Sequence, residues 1–167
     1  MRAATLDTAD IISIQNLLHR YCDYLDRGNF DAMAALFAHA DVYLPGVDCW
    51  YRSDPQGLAT SYREWVRIYP DGTPRTRHIT SNLILEGDGP GRAKAQSYIM
   101  VFQSTAEFPL QPIIGGRNID RFAKIEGAWR FSARTIESDM FGNVNSHLLR
   151  DFGVTEHDAL NDDAWIL

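Results

Sequence analysis

The apolar positions in the first quarter of the chain recur with the period of amphipathic helices. Steps of three and four residues separate Ile11, Ile14, Leu18, Tyr21 and Leu25. Thr8 is predicted to cap the start of this helix, and Gly28 is predicted to follow its end. Asn29 is predicted to cap a short second helix with an apolar stripe at Phe30, Met33, Leu36 and Phe37. The chain is therefore expected to open as a helical hairpin.

A strand and a third helix are predicted next. The sequence "DVYLPG", residues 41–46, favours a short strand that its Pro-Gly pair ends. Residues 54–69 are typical of a helix, and Ser53 or Asp54 is predicted to cap it. Both elements precede the part of the chain that is rich in strand patterns.

Four later runs are predicted to be strands. Residues 78–86 and 92–104 are separated by the turn sequence "GDGPG", which predicts one hairpin. Residues 113–125 and 128–138 are separated by an acidic-Gly pair, Glu126-Gly127, which favours a second, tight hairpin. Helices first and antiparallel hairpins afterwards are the order of an α+β fold, so α+β is the predicted fold class.

Composition narrows the class of protein. The chain of 167 residues fits a single domain, 1–167, whose last part, 138–167, is expected to pack on the domain edge as a tail. The net charge of −6 and the lack of a basic stretch argue against a nucleic-acid partner. Two cysteines are too few for a disulfide framework, and neither a signal peptide nor a membrane-spanning apolar run is evident. A cytoplasmic protein without a membrane partner is therefore expected.

Asp26 is the first candidate for chemistry, because it stands where the first helix is predicted to end. A carboxylate at a helix C-terminus faces the negative end of the helix dipole, and the helical period puts Asp26 beside the buried stripe, near Leu18 and Cys22. The dipole and burial are both expected to raise the pKa of Asp26 toward the range of a general base. The alternative is a solvated Asp in "DRGN" that forms an Asx turn.

His78 is the second candidate, at the start of a predicted strand. Side chains alternate along a strand, so His78, Thr80 and Asn82 are predicted to share a polar face that looks either to water or to a wet pocket. A histidine exchanges protons near neutral pH when a carboxylate orients it. A surface histidine without a function is the alternative.

The last predicted hairpin carries two further candidates, Asn118 and Arg134. Asn118 and Asp120 share one face of their strand, and the preceding "GG" permits either a bend in the sheet or the close approach of a ligand. Arg134 either binds an anion or pairs with Asp120 or Glu137 across the sheet, and the ion pair is favoured.

No sequence motif indicates a metal, a nucleotide cofactor or a nucleophile. His147 and His157 stand among several acidic residues near the end of the chain, but their spacing matches no zinc or calcium pattern. The sequence contains no G-x-S-x-G, G-x-G-x-x-G or P-loop motif. Neither a metal nor a cofactor is therefore expected.

Three stretches carry a resemblance to a known family. They are "IQNLLHRYCDYLDRGNFDAMAALFAHADVYLPG", "RHITSNLILEGD" and "IIGGRNIDRFAKIEGAWRFSART". Together they resemble the SnoaL-like group of the nuclear transport factor 2 superfamily, over about residues 9–137. That group includes scytalone dehydratase, polyketide cyclases and hexachlorocyclohexane dehydrochlorinase. The resemblance implies a cone-shaped, curved antiparallel sheet closed by the N-terminal helices, with a mostly apolar pocket inside.

The resemblance also implies a reaction and its residues. Asp26 and His78 match the pair with which the dehydratase and dehydrochlorinase relatives abstract a proton and trigger elimination without a cofactor. Tyr21 is the expected donor to the developing oxyanion, and Asn118 or Arg134 are the alternatives. The expected substrate is small and apolar or polyketide-like. Five further residues are expected to bind it: Asn118, Arg134, Trp50, Trp65 and Phe102.

Two other functions stay open from the sequence. The same fold also serves as a non-catalytic binding or assembly domain. An isomerase would instead use Asp26 itself as the base, with His78 only a wall of the pocket. For the quaternary structure, a partly apolar outer face at Val101, Arg130 and Phe131 predicts a homodimer or homotrimer.

Overall fold

Three helices and six strands make up the described part of the chain. The computed structural model describes residues 5–44 and 48–150. The helices are α1 (Thr8–Asp26), α2 (Phe30–Ala35) and α3 (Pro55–Trp65). The strands are β1 (Asp41–Leu44), β2 (Cys49–Arg52), β3 (Thr76–Gly87), β4 (Arg92–Gln103), β5 (Gln111–Ile125) and β6 (Ala128–Phe141).

The three predicted helices are present, with some ends shifted. Asp7 caps α1, one residue before the predicted cap, by accepting a hydrogen bond from a first-turn N–H. Asn29 caps α2 and Asp54 caps α3 in the same way, as the sequence predicts. The third helix stops at Trp65, short of its predicted end, because Val66 is extended and forms an isolated β-bridge.

Both predicted hairpins are present. Glu126 and Gly127 have φ values of 50° and 79°, the positive values that a two-residue type I′ turn requires. The strand β2 has no counterpart in the sequence prediction, because its four residues are too few to show a period. The predicted end of β1 at Pro45 and Gly46 lies outside the described residues.

The six strands form one open, curved sheet in the order β2-β1-β6-β5-β4-β3. The register is irregular near Ser81, Val101, Gly115 and Arg121, and such bulges bend and twist strands. The predicted α+β fold with a curved sheet is confirmed. One pair differs from the antiparallel expectation: β1 and β6 run parallel, because a long connection rather than a hairpin separates them.

The helices cover the inner face of the sheet, where the core lies. The helix α1 packs against β3 and β6, and Phe37, just after α2, lies 4.7 Å from Phe131 between ring centres. Val101 and Phe131 are buried in this core. The expectation that they form an apolar outer face is therefore wrong, because strand alternation turns them inward and leaves Arg130 outside.

The outer face does expose apolar side chains, but they are not those of Val101 and Phe131. Ile79, Tyr98 and Met140 stand on three strands of this face and are about half exposed or more.

None of the described helices combines the length and the hydropathy needed to cross a membrane.

Candidate functional site

Asp26 and His78 meet where the end of α1 lies against the start of β3. The Asp26 Oδ1 and His78 Nδ1 atoms are 2.6 Å apart, and the His78 backbone N–H donates to Asp26 Oδ2 over 2.9 Å. The Thr76 hydroxyl donates to Asp26 Oδ1 over 2.8 Å. Only 12% of the His78 side chain and 13% of the Asp26 side chain are exposed. The two side chains therefore form one fixed, mostly buried pair.

The Asp26 carboxyl is held in its ionised form. Burial by itself raises its pKa, but the hydrogen bonds and charge of His78 and the hydroxyl of Thr76 together outweigh burial, so the pKa of Asp26 is lowered. The raised pKa expected from the helix dipole is therefore wrong, because donors from β3 surround the carboxylate. An ionised carboxylate only accepts hydrogen bonds, so Nδ1 of His78 carries a hydrogen, and in the neutral form of the imidazole Nε2 presents a lone pair.

A bulge in β3 decides which side chains accompany His78. Thr80 faces the inside with His78, and its hydroxyl oxygen is 3.4 Å from the sulfur of Cys22. The register then shifts around Asn82, whose φ is 51°. Asn82 is exposed, contrary to the predicted alternation, whereas Leu83 turns inward against the core. The polar row inside the sheet therefore ends at Thr80.

Tyr21 precedes Asp26 by five residues on α1 and contacts two other buried polar side chains, those of Tyr62 and Arg134. Its hydroxyl oxygen is 3.1 Å from that of Tyr62 in α3, and the guanidinium carbon of Arg134 is 4.2 Å from the centre of its ring. Burial raises the pKa of both tyrosines above the ordinary value. Both are therefore neutral phenols, and the hydroxyl that accepts from the other keeps its own hydrogen for a further partner.

Arg134 forms the buried ion pair that the sequence favours, and its partner is Asp120. The Nε and Nη2 atoms of Arg134 lie 2.6 and 2.9 Å from the two carboxylate oxygens, and neither side chain is exposed. Burial by itself lowers the pKa of Arg134, but the charge and hydrogen bonds of Asp120 outweigh it and raise that pKa. Burial also raises the pKa of Asp120, yet this two-pronged contact fits a carboxylate, so the pair is ionised. Within the described residues, Nη1 of Arg134 has no hydrogen-bond partner.

Asn118 and Ser97 lie side by side on β5 and β4, on the inner face of the sheet. Both residues are buried, and among the described residues neither Oδ1 of Asn118 nor Oγ of Ser97 has a hydrogen-bond partner. Buried polar atoms without a partner are uncommon and destabilising. Of these atoms and Nη1 of Arg134, the Arg134 atom can only donate a hydrogen bond, Oδ1 of Asn118 can only accept one, and Oγ of Ser97 can do both.

The three predicted aromatic residues do not gather at the Asp26–His78 pair. Trp50 is about half exposed on β2, where it stacks on Tyr43 with 4.3 Å between ring centres. Phe102 lies on the outer face, because its neighbours in β4 point inward. Trp65 ends α3, and its ring contacts the guanidinium of Arg150. These placements correct the prediction that Trp50 and Phe102 line an inner pocket.

Three polar residues near the pair were not among the candidates from sequence. Strand alternation could have indicated Thr76, since it stands two residues before His78 on the same face. Tyr62 and the buried His147 have no local pattern that marks them, because packing of α3 and of the segment after β6 brings them inward.

Within the described part of the chain, no three His, Cys, Asp or Glu residues are grouped as metal ligands. His157 lies outside the described residues.

Comparison with known proteins gives one family and several similar structures. The SnoaL-like domain family matches residues 7–135, and no curated protein matches the chain. A cystatin-like protein of unknown function from Nostoc punctiforme PCC 73102 is 22% identical over 81% of this chain and 95% of that chain, with a TM-score of 0.65. A candidate scytalone dehydratase from Novosphingobium aromaticivorans DSM 12444 is 22% identical, covering 80% and 87%, with a TM-score of 0.62. LinA is 19% identical, covering 82% and 90%, with a TM-score of 0.63.

Proposed function

Because the chain belongs to the SnoaL-like domain family, we propose that it is a lyase or isomerase of the dehydratase type, in which Asp26 and His78 remove a proton from a small substrate. The observation that carries the proposal is the 2.6 Å contact between the Asp26 carboxylate and His78 Nδ1 in a mostly buried site. A carboxylate that orients an imidazole leaves its other nitrogen ready to act as a general base.

The proposed reaction begins at a carbon next to a carbonyl group. His78 Nε2 takes a proton from this carbon, and the electron pair of the broken C–H bond moves toward the carbonyl oxygen to form an enolate. The ionised Asp26 stabilises the imidazolium that results. In an elimination, the enolate then expels a hydroxyl group from the adjacent carbon, and the proton held by His78 converts that hydroxyl to water. Every step uses side chains of the chain itself.

Tyr21 and Arg134 are proposed to bind the oxygen on which negative charge develops. The neutral Tyr21–Tyr62 hydroxyl pair and Nη1 of Arg134 are donors already held in place by packing. Donors fixed before the reaction stabilise a developing oxyanion more than mobile water does. Asn118 Oδ1 can only accept, so it is proposed to bind a hydroxyl group of the substrate.

The ionised state of Asp26 favours the pair over an isomerase in which Asp26 is the base. Three hydrogen bonds reach its carboxylate, from Thr76 and from the ring and backbone of His78. A carboxylate with this surrounding and a lowered pKa is a weak base. The imidazole of His78 is the better placed group to accept the proton.

Hydrogen–deuterium exchange on 2-tetralone in D₂O, followed by NMR with the full chain, tests the proposal. His78→Ala and Asp26→Asn are each expected to slow exchange about 100-fold or more, since general-base catalysis contributes roughly 10²–10⁴-fold. His39→Ala, which replaces an exposed histidine, is the control and should leave the rate unchanged. Circular dichroism checks that each variant is folded.

Other outcomes would point to the other functions. Exchange that survives His78→Ala but is lost in Asp26→Asn would support Asp26 as the base. A wild-type protein that binds 2-tetralone but never exchanges its protons would support a binding domain.

We also propose that the outer face of the sheet joins copies of the chain into a homodimer or homotrimer. Ile79, Tyr98 and Met140 expose apolar surface there, and the face carries both signs of charge, with Arg117 near Glu137. A surface of mixed charge around apolar residues can contact a second copy of itself.

A further inference from the structure

His147 is a buried imidazole that the proposed reaction does not yet use. It lies in the segment after β6, and only 5% of the residue is exposed. Its Nδ1 atom is enclosed and, within the described residues, has no hydrogen-bond partner. Buried polar atoms in folded proteins are nearly always paired. An enclosed ring nitrogen without a partner therefore indicates a place for a ligand group.

The backbone on both sides of His147 is anchored. The Arg67 N–H donates to the His147 carbonyl over 2.8 Å, and the His147 N–H donates to the Val144 carbonyl over 2.9 Å. The Leu149 N–H donates to the Trp65 carbonyl over 2.8 Å. These bonds tie the segment to the end of α3, so the imidazole is presented from a fixed backbone.

The same segment reaches the Asp26 end of the site. The carbonyl of Ser146 accepts a hydrogen bond from Nε2 of Gln103 over 3.2 Å. Gln103 is the cross-strand partner of Thr76, and the hydroxyl of Thr76 donates to Asp26. His147 therefore directly follows Ser146, which is linked through Gln103 and then Thr76 to the Asp26 carboxylate.

Burial also sets the protonation state of His147. Burial lowers the pKa of His147 to about 4; the charge of His78 acts in the same direction, and that of Asp26 in the opposite one. His147 is therefore neutral at neutral pH. His78 has a carboxylate partner and His147 has none, so the two imidazoles suit two roles, one moving a proton and one making a hydrogen bond.

Resting on the proposed function, we propose that His147 hydrogen-bonds the oxygen that leaves the substrate, on the carbon next to the one that His78 deprotonates. Tyr21 and Arg134 keep the role proposed above, which is to bind the carbonyl oxygen. The substrate class is a β-hydroxy carbonyl compound. As the C–O bond breaks, its electron pair goes to the oxygen, His147 donates a hydrogen bond to that oxygen, and the proton on His78 completes the water.

A buried polar site also discriminates between leaving groups. A leaving hydroxyl pairs with Nδ1 of His147, whereas an apolar leaving group fills the same place and leaves this buried atom unpaired, which disfavours its binding. His147 is thus expected to favour a hydroxyl over a halide.

The experiment compares two reactions of the same full-length protein at neutral pH. The first is dehydration of 4-hydroxy-2-tetralone to 2-naphthol, followed by absorbance. The second is proton exchange on 2-tetralone, which lacks the leaving hydroxyl. The variants are His147→Leu, which removes the hydrogen bond, and His147→Asn, which has a similar shape and keeps a polar atom near the position of Nδ1.

His147→Leu is expected to lower kcat/KM for dehydration at least about tenfold, the effect of losing one hydrogen bond to a reacting oxygen. Its exchange rate on 2-tetralone should stay within about twofold of the wild type. His147→Asn should recover dehydration to within about threefold of the wild type. The ratio of the two rates within one preparation is independent of the folded fraction, so partial unfolding does not obscure the result.

Three results would overturn the inference. Equal loss of both reactions in His147→Leu would show a packing role, and unchanged dehydration would show no role. A wild-type protein that exchanges 2-tetralone but does not dehydrate the hydroxy ketone would reject the substrate class while leaving the Asp26–His78 pair intact. A wild-type protein that does neither would reject the proposed function itself.

Discussion

Two histidines that lie near one carboxylate have opposite surroundings in this protein. His78 is hydrogen-bonded to Asp26 through Nδ1, whereas His147 is buried without a charged hydrogen-bond partner in the described residues. Burial without a counter-charge disfavours the protonated form of an imidazole. A hydrogen-bonded carboxylate favours the protonated form. The surroundings of the single residues thus give His78 a hydrogen-bonded carboxylate and leave His147 neutral at neutral pH.

The lowered pKa of His147 predicts a loss of stability in mild acid. Its pKa is about 4 in the folded chain and about 6.5 when unfolded, so the unfolded chain binds the proton more tightly. No destabilisation is expected above pH 6.5, and the free energy of unfolding should fall by about 2–3 kcal/mol as the pH drops to 4.5. Urea unfolding at pH 7.5 and pH 4.5 measures this fall.

The control for this prediction is a pair of variants. His147→Asn removes the titrating group and should show a smaller fall between the two pH values, whereas His39→Ala, at an exposed position, should fall as the wild type does. Equal falls in all three proteins would contradict the assignment to His147.

Asp26 predicts a pH dependence of the same sign as that of His147, but in the lower pH range of a carboxyl group. Its pKa is lowered on folding, so its contribution to stability is fully present above the ordinary carboxyl range and is lost as the pH falls through the folded pKa. Wild type should be more stable than Asp26→Asn at pH 6, and the gap should narrow below about pH 4. Melting temperatures between pH 2 and pH 6 measure the gap. A gap that stays constant down to pH 2 would show that the carboxylate is not involved.

At the level of elements, bulges and glycines shape the strands that carry the site. The bulge around Asn82 keeps Thr76, His78 and Thr80 on the inner face and then turns Leu83 inward. A further irregularity falls at the adjacent glycines 115 and 116 in β5. Bulges change which face a side chain occupies without ending the strand, so they decide which side chains lie on the inner face of the sheet.

The two glycines of β5 are predicted to differ in their tolerance of a methyl group. A Cβ on Gly116 would collide with the backbone carbonyl of Glu137, which cannot move without disturbing the β5–β6 pairing. A Cβ on Gly115 would make one tight contact, at 3.3 Å from the Cβ of Met140, and would lie at ordinary distances from the flexible ends of Met140 and Met100.

Gly116→Ala is therefore expected to lower the free energy of unfolding by about 2–3 kcal/mol, the cost of overpacking that side chains cannot relieve. The matched variant Gly115→Ala should lose less than about 1 kcal/mol. Chemical denaturation of the two variants compares them directly. Equal losses would mean that the backbone at position 116 can shift.

At the level of the whole molecule, one face of the sheet holds the core and the site, and the other face exposes apolar side chains in the described part of the chain. The described helices cover the inner face, while Ile79, Tyr98 and Met140 on the outer face are 51%, 47% and 63% exposed. Apolar groups repeated on one open sheet face are typical of an interaction surface.

Met140→Glu is predicted to dissociate the oligomer into monomers, because a charge in an apolar contact loses its hydration. Sedimentation velocity measures the change. Ile12→Glu is the control: Ile12 is also 51% exposed but lies on α1, away from the sheet face. A wild-type protein that sediments only as a monomer, or equal dissociation by both variants, would contradict the proposed interface.

Much of the local structure was predictable from consecutive residues. Helical spacing predicted α1, and alternation with the Glu126-Gly127 turn predicted the β5–β6 hairpin. The sequence also singled out Asp26, His78 and Arg134 as polar residues beside apolar faces. Periodicity, caps and turns depend on neighbours in the chain, so a sequence contains them directly.

Only the tertiary structure decided how those residues act together. Asp26 and His78 are 52 residues apart in sequence, and packing of α1 on β3 brings their side chains together. The direction of the Asp26 pKa, the inward turn of Leu83 and the burial of His147 each depend on groups from distant segments. Phe102 and Trp50 were misplaced for the same reason, since hydrophobicity alone does not say which face a side chain joins. Electrostatics and burial are sums over spatial neighbours, and only the folded chain defines which neighbours those are.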